Sequence, residues 1–231
     1  MSRERWSFDE YGRKARVLPA ILVGAPALSL LLFIDVTIPT KLVSGIALLA
    51  LLTFASQLLL HRGRTEEARL LREWGGFPTT LMLRHSAAGS ASLRARRRSN
   101  VERVSGINLP SAHRERTRPL ETNEEYSHAV KLCIDKVRND NPNSRLLQIE
   151  NIHYGFRRNM RAGKQVGLTV AILSLLASCA LAIFRDDATA GIAAATINLI
   201  SVAAWAFGVN DPWVRDQADK YADRFFRALE D

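Results

Sequence analysis

Four stretches without a charged residue interrupt an otherwise polar chain: Val17–Ile34 (VLPAILVGAPALSLLLFI), Leu42–Leu60 (LVSGIALLALLTFASQLLL), Val166–Phe184 (VGLTVAILSLLASCALAIF) and Ala188–Val209 (ATAGIAAATINLISVAAWAFGV). Each is 18 to 22 residues long, and a helix needs about 20 apolar residues to cross about 30 Å of hydrocarbon. The pattern predicts four membrane-spanning helices. Asp35–Lys41 and Arg185–Asp187 are the only separators within each pair, so the spans form two hairpins. A cleaved secretory signal is the alternative for the first span, but its apolar core would be about 7 to 15 residues, and a second span follows at once.

Between the hairpins the periodicity changes. Thr65–Trp74 (TEEARLLREW) places Ala68, Leu71 and Trp74 on one side of a helix continuing the second span; Gly75, Gly76 and Pro78 end it. Ala87–Ser92 and Gly106–Pro119 read as loops, with a short helix in LRARRRSNVERV between them. A further helix is predicted from the capping box Thr122-x-x-Glu125, with Ala129, Leu132, Cys133, the Lys136 stem and Val137 on one face. NPNS (Asn141–Ser144) breaks it, and a last helix starts near Ser144 and runs into the third span. The fold class is an all-α membrane protein, two transmembrane hairpins flanking a mostly helical basic insert. Its parts are residues 1–60, the insert 61–165, and residues 166–231.

Charge sets the orientation. Residues 61–165 carry 21 Lys and Arg against 11 Asp and Glu, and Arg3, Arg5, Arg13, Lys14 and Arg16 precede the first span, whereas each short turn holds one cation. Cations near span ends stay cytoplasmic, so both termini and the insert are expected in the cytosol and the hairpin turns outside, in a bacterial inner membrane. The mean hydropathy of −0.05 averages apolar spans with this charged remainder. Cys133 in the insert and Cys179 in the third span cannot pair, so no oxidising compartment is implied.

An excess of ten cations on the insert calls for an anionic partner, and arginine favours bidentate phosphate contact. The densest groups are Arg94, Arg96, Arg97 and Arg98 in RARRR, RERTR at Arg114–Arg118, and IENIHYGFRRNMRAGK (Ile149–Lys164) just before the third span. Three explanations compete for the last: lipid headgroup anchoring through Arg161 and Lys164, topology determination, and a nucleotide or single strand whose bases stack on rings while guanidiniums hold phosphates. Tyr154 and Arg158, four residues apart, share a helical face. The candidate ligand set is therefore Arg94, Arg96, Arg97, Arg98, Tyr154, Arg157, Arg158 and Arg161.

Enzyme signatures do not appear. His61, His85, His113, His128 and His153 lack zinc-ligand spacing, and no phosphate loop or nucleophile elbow is present. No metal, cofactor or catalytic residue is expected. The spans hold no ionisable group, which disfavours an ion-coupled transporter. Their polarity is uncharged: Ser44, Thr53, Ser56, Gln57, Ser174, Ser178, Thr196, Asn198 and Ser201. Such residues serve as packing contacts between helices or line a pore. Four spans per chain are too few to enclose a wide path, so a pore would be shared in a homo-oligomer, a tetramer by expectation, with Asn198 and Ser201 lining it.

EWGGFPTTLMLRH (Glu73–His85) and NIHYGFRRNMRAGK (Asn151–Lys164) resemble paired motifs of bacterial four-span proteins. The layout is similar to transmembrane effectors encoded beside nucleotidyltransferases in anti-phage operons, the CBASS-associated and Hailong-type effectors. That resemblance implies an inner-membrane channel controlled by a nucleotide, or by single-stranded DNA, made by the partner enzyme. The alternative is a membrane scaffold whose basic insert recruits a soluble partner or anionic lipid.

Overall fold

The computed structural model describes residues 12–33, 38–140, 144–185 and 188–230; side chains at 31–46, 48–53, 55, 56, 60, 139, 140 and 144 lie outside that description. Among the described residues every regular element is helical. A π-helical turn, Arg13–Val17, leads into α1 (Leu18–Phe33), followed by α2 (Ile38–Trp74), α3 (Pro78–Leu81), α4 (Ala91–Ser105), α5 (Ala112–Thr117), α6 (Pro119–Asp140), α7 (Ser144–Phe184), α8 (Ala188–Ala203), a second π-helical turn Ala204–Gly208, and α9 (Asp211–Ala228). Among the described residues, two segments are long and apolar enough to cross a membrane, Arg145–Phe184 and Ala188–Gly208. The expected break at NPNS, the cations Arg3 and Arg5, and residues 35–37 and 186–187 of the hairpin turns fall outside the described residues, as do the side chains of Ser44, Thr53 and Ser56.

The chain divides into two compact units, one from Met1–Ala68 and Gly155–Val214, the other from Arg69–Tyr154 and Arg215–Asp231. The bounds of the second unit differ from the 61–165 insert: it runs over Arg69–Tyr154 and also includes Arg215–Asp231, which the sequence groups with the second hairpin.

In the first unit, Ala20, Val23, Leu59, Met160, Ala171, Trp205 and Val209 form a small apolar cluster. Helices α7 and α8 approach very closely: a Cβ built on Gly191 would lie 2.3 Å from the Ala182 backbone nitrogen, so only glycine fits. Elsewhere the interior is unusually polar. Ser29, Ser174, Ser178 and Asn198 are buried, while Leu173, Leu176 (60% exposed), Leu199, Ile200 (65%) and Phe207 (80%) face outward. Pro26 lies inside α1, and Ser29 Oγ donates to the Pro26 carbonyl at 2.7 Å.

The second unit has the opposite construction. Leu83, Val101, Tyr126, Cys133, Phe225 and Phe226 lie in one apolar core, joined by Ala129, Val130, Val137, Leu147 and Leu229. Burial pushes the Cys133 thiol up to about 11, so it stays protonated and packs as a hydrophobe. Helix α2 ends where Gly75 and Gly76 take φ of +80° and +138°, a left-handed exit that glycine makes without steric cost; Gly76 N donates to the Leu71 carbonyl at 2.9 Å.

Three local expectations are corrected. The capping box at Thr122 does not form: α6 begins at Pro119, because proline suits the first helical turn, and Thr122 Oγ1 donates back to the Arg118 and Pro119 carbonyls at 3.0 and 3.1 Å. Its partner Glu125 pairs with Arg114 instead. Within the expected loop Gly106–Pro119, residues Ala112–Thr117 are helical, capped by the Ser111 hydroxyl, which accepts from Arg114 N at 3.3 Å. On α6, Ala129, Cys133 and Val137 face the core as expected, but Lys136 is exposed and donates to the Val104 carbonyl at 2.6 Å.

Candidate ligand and pore sites

The four arginines of RARRR sit on α4, which starts at the Ser90 cap and ends at Gly106 with φ +74°. Arg98 points inward. Its Nη1 donates to the Leu83 carbonyl and the Tyr126 hydroxyl, both at 2.8 Å, and its Nη2 to the Pro110 carbonyl at 2.7 Å. Tyr126 passes the chain on by donating to Glu115 at 3.1 Å. Burial raises the Tyr126 pKa, and the Arg98 guanidinium partly opposes that rise. Arg97 pairs with Asp223 at 2.6 Å and lies over the Phe226 ring, 4.7 Å from its centroid. Arg94 Nη1 donates to the Ala87 carbonyl at 2.7 Å. Arg96 is the most open of the four, 63% exposed, with Glu230 at 3.1 Å.

The anionic groups that meet RARRR are thus carboxylates of the chain's own C-terminal segment. Arg103 adds a bond from Nη2 to the Leu229 carbonyl at 2.7 Å. Three of the four arginines are not arranged as an open phosphate cradle, because their forks are already directed at carbonyl, hydroxyl or carboxylate oxygens. RERTR is more exposed: Arg114 pairs with Glu125, Arg118 with Glu121, and Arg116 lies on the surface.

The second candidate group lies on α7 where its charged part meets its apolar part. Arg157 Nη1 donates to the Trp213 carbonyl at 2.7 Å, and its guanidinium sits 5.0 Å from the Trp213 ring centroid; Phe156 meets the same ring edge-on at 6.3 Å. Arg158 is buried and pairs with Glu67 at 2.8 Å. Arg161 reaches Asp211 at 2.5 Å and Glu66 at 3.5 Å. Lys164 Nζ donates to the Ala206 and Val209 carbonyls at 2.9 and 2.7 Å, which places a cation on the orphan carbonyls where the second π-helical turn ends. Asn159 Nδ2 donates to the Ala15 carbonyl at 2.6 Å.

These contacts join α2, α7, the start of α9 and the first π-helical turn into one belt of charge and amide. A buried pair stripped of one partner is strongly destabilising, even where the intact pair adds little. The belt therefore resists being opened by a ligand. Tyr154 belongs to the second unit and is buried, so its ring does not offer a free face for a base, and the expected pairing of a stacking Tyr154 with a phosphate-holding Arg158 is corrected.

The pore expectation is corrected at its central residue. Asn198 is fully buried: its Nδ2 donates to Ser178 Oγ at 2.9 Å, and its Oδ1 lies 3.3 Å from the Ser29 hydroxyl. Ser178 donates in turn to the Ser174 carbonyl at 2.7 Å. The amide ties α1, α7 and α8 of one chain together and faces no lumen. Ser201 turns back to donate to the Ile197 carbonyl at 3.1 Å on its own helix.

Composition alone missed the acids and rings that complete these networks: Glu66, Glu67, Asp211 and Trp213 in one unit, and Glu115, Tyr126, Asp223 and Glu230 in the other. A partial signal is present in the sequence. Glu66-Glu67 and Asp211-Pro212-Trp213 each lie shortly after the end of an apolar stretch, as the cations Arg157–Lys164 lie shortly before Val166. Comparison with protein families, characterised proteins and solved structures gives no match.

Proposed function

We propose that the chain crosses the bacterial inner membrane four times, with both termini and the basic unit in the cytoplasm, and that it acts as a homo-oligomeric, non-catalytic ion channel. The single observation that carries the membrane part is the inversion of the first unit, which buries Ser29, Ser178 and Asn198 and turns Leu176, Ile200 and Phe207 outward. A polar interior under an apolar surface is stable only where the solvent is hydrocarbon. Helices α7 and α8 supply two crossings, and the charge-free stretches Val17–Ile34 and Leu42–Leu60 supply the other two.

The effector part of the reading rests on the resemblance carried by Glu73–His85 and Asn151–Lys164: a toxic anti-phage channel, a tetramer, held or released by a nucleotide or single-stranded oligonucleotide made by a nucleotidyltransferase partner. On the second unit, such a ligand competes with the chain's own acids. Phosphate replaces Glu230 at the exposed Arg96 most easily and Asp223 at Arg97 next, whereas Arg98 stays committed to carbonyls. Binding by this route weakens with salt, with a slope of about −0.7 per phosphate contact for a single strand.

A second reading, a scaffold that recruits a soluble partner, is favoured by one observation: the arginines chosen for the ligand already have partners in the chain. A potential-sensitive dye in cells separates the two. Expression with and without the neighbouring nucleotidyltransferase gene changes the membrane potential if the chain is a channel. An unchanged potential in both conditions and during infection leaves the scaffold.

A further inference from the structure

With Asn198 enclosed within one chain, a different polar residue at membrane depth is open to contact between copies. Among the described side chains of α2, Ala47, Phe54, His61 and Ala68 recur at seven-residue spacing, with Leu58 and Thr65 beside them, and all are exposed. Leu59, Gly63 and Leu70 on the opposite side are buried. A sevenfold repeat is the spacing at which two helices keep one seam in contact along their length. Gln57 lies next to this stripe and is also exposed.

Thr196 and Ser201, two other polar groups on or near the outer surface of the apolar segments, donate to carbonyls of their own helix at 2.9 and 3.1 Å. Gln57 makes no hydrogen bond to the described residues. Its amide carries two donors and an acceptor, more than one helix turn can satisfy, and an unsatisfied amide in hydrocarbon costs several kcal/mol on the order given by transfer data. Escape to the headgroups is unfavourable on the proposed topology. Helix α2 runs from the outer side toward the cytosol, and a helical Cβ tilts toward the N-terminus, so the Gln57 side chain is directed into the bilayer.

We propose that Gln57 and the Ala47–Phe54–His61 stripe of α2 form the contact between two copies of this chain in the membrane, with the two Gln57 amides hydrogen-bonding across a two-fold axis. An amide is self-complementary, which a symmetric contact requires, and interhelical amide bonds favour such pairing in lipid. The inference rests on the proposed membrane-spanning reading and adds the surface and the residue.

The test uses the full chain in native membranes. Cys179, exposed on α7, is the built-in control: wild type treated with a thiol oxidant is expected to stay monomeric on a non-reducing gel. Gln57→Cys in a Cys179→Ala background is expected to give a disulfide-linked dimer. In liposomes, fluorescence energy transfer between labelled copies is expected to show association weakened roughly threefold to fifteenfold by Gln57→Leu and largely restored in Gln57→Asn. Dimers through Cys179 but not through position 57, or unchanged association of Gln57→Leu, would overturn the contact. If amine crosslinking still gives oligomers of the wild type in that case, only the assigned surface fails; if the wild type is monomeric throughout, the oligomeric channel fails with it.

Discussion

The two units of this chain use the same residue types in reverse. In the first, Ser29, Ser174, Ser178 and Asn198 are buried beside a small apolar cluster while Leu173, Leu176, Ile200 and Phe207 are exposed; in the second, Leu83, Val101, Phe225 and Phe226 are inside and most arginines and glutamates are outside. On the proposed membrane reading, each arrangement is unstable in the other's solvent. Water drives the second core together through apolar burial, whereas lipid gives no such drive, and close backbone approach with internal hydrogen bonds takes its place. Cations mark the difference as well. On α4 they are spread over a surface and differ widely in exposure; in the middle of α7 they form a belt of pairs with Glu66, Glu67 and Asp211.

The comparison breaks most severely at Gly191. If packing in the first unit depends on backbone approach, Gly191→Val places a branched side chain where Ala182 backbone atoms lie 2.3 and 2.5 Å from Cβ. No rotamer relieves a clash with backbone, so separation of α7 and α8 is expected, with a cost of about 3 kcal/mol or more. Loss of the monodisperse peak in detergent chromatography reads it. Full retention of that peak would mean that the two helices are farther apart than described.

Next is Arg98 in the second unit. Arg98→Ala orphans the Leu83 and Pro110 carbonyls and removes a bond to the Tyr126 hydroxyl, for an expected loss of about 2 to 4 kcal/mol. Arg98→Lys restores the charge but not the fork, and about half of the loss is expected to remain. Thermal unfolding of the full chain measures both. An equal rescue by lysine would show that charge, rather than geometry, is what α4 supplies there.

Asn198→Leu sharpens the contrast on the membrane side. Removing the amide leaves Ser178 to its own helix and Ser29 to Pro26, so about 1 to 2 kcal/mol of stability is expected to go. Any channel current per folded oligomer is expected to be unchanged, because Asn198 faces other helices of its own chain. A change in ion selectivity at normal stability would restore it to a pore wall.

Much of this architecture was legible from the charge-free stretches and the glycines. Gly75-Gly76 marks the end of α2, and the run from Ser144 into the third apolar stretch is one helix. The sites were less legible. A cluster such as RARRR reads identically whether its partner is external phosphate or a carboxylate more than a hundred residues away, because sequence spacing carries no information on long-range pairing. Asp223 and Glu230, on the segment that follows the fourth apolar stretch, are those carboxylates. Asn198 is ambiguous for a related reason: an amide in an apolar span is needed equally by a pore and by a helix contact, and only burial separates the two.

Arg96 carries the smallest expected effect and isolates the part of the basic surface still open to solvent. The pair with Glu230 has one side chain 63% exposed and the other 29%, so water and salt screen it, and Arg96→Ala is expected to change stability by less than about 0.5 kcal/mol. If phosphate competes with Glu230 at this position, Glu230→Gln frees the guanidinium and is expected to tighten binding of a fluorescent single-stranded oligonucleotide by about twofold to fivefold at low salt, as for a surface charge pair of this strength. Arg96→Ala is expected to weaken it by a similar factor. Because the stability change is small, neither variant needs correction for unfolded protein. Binding that ignores both substitutions, while still falling with salt, would move the anionic ligand off α4 to the more exposed RERTR segment, where Arg116→Ala becomes the decisive variant.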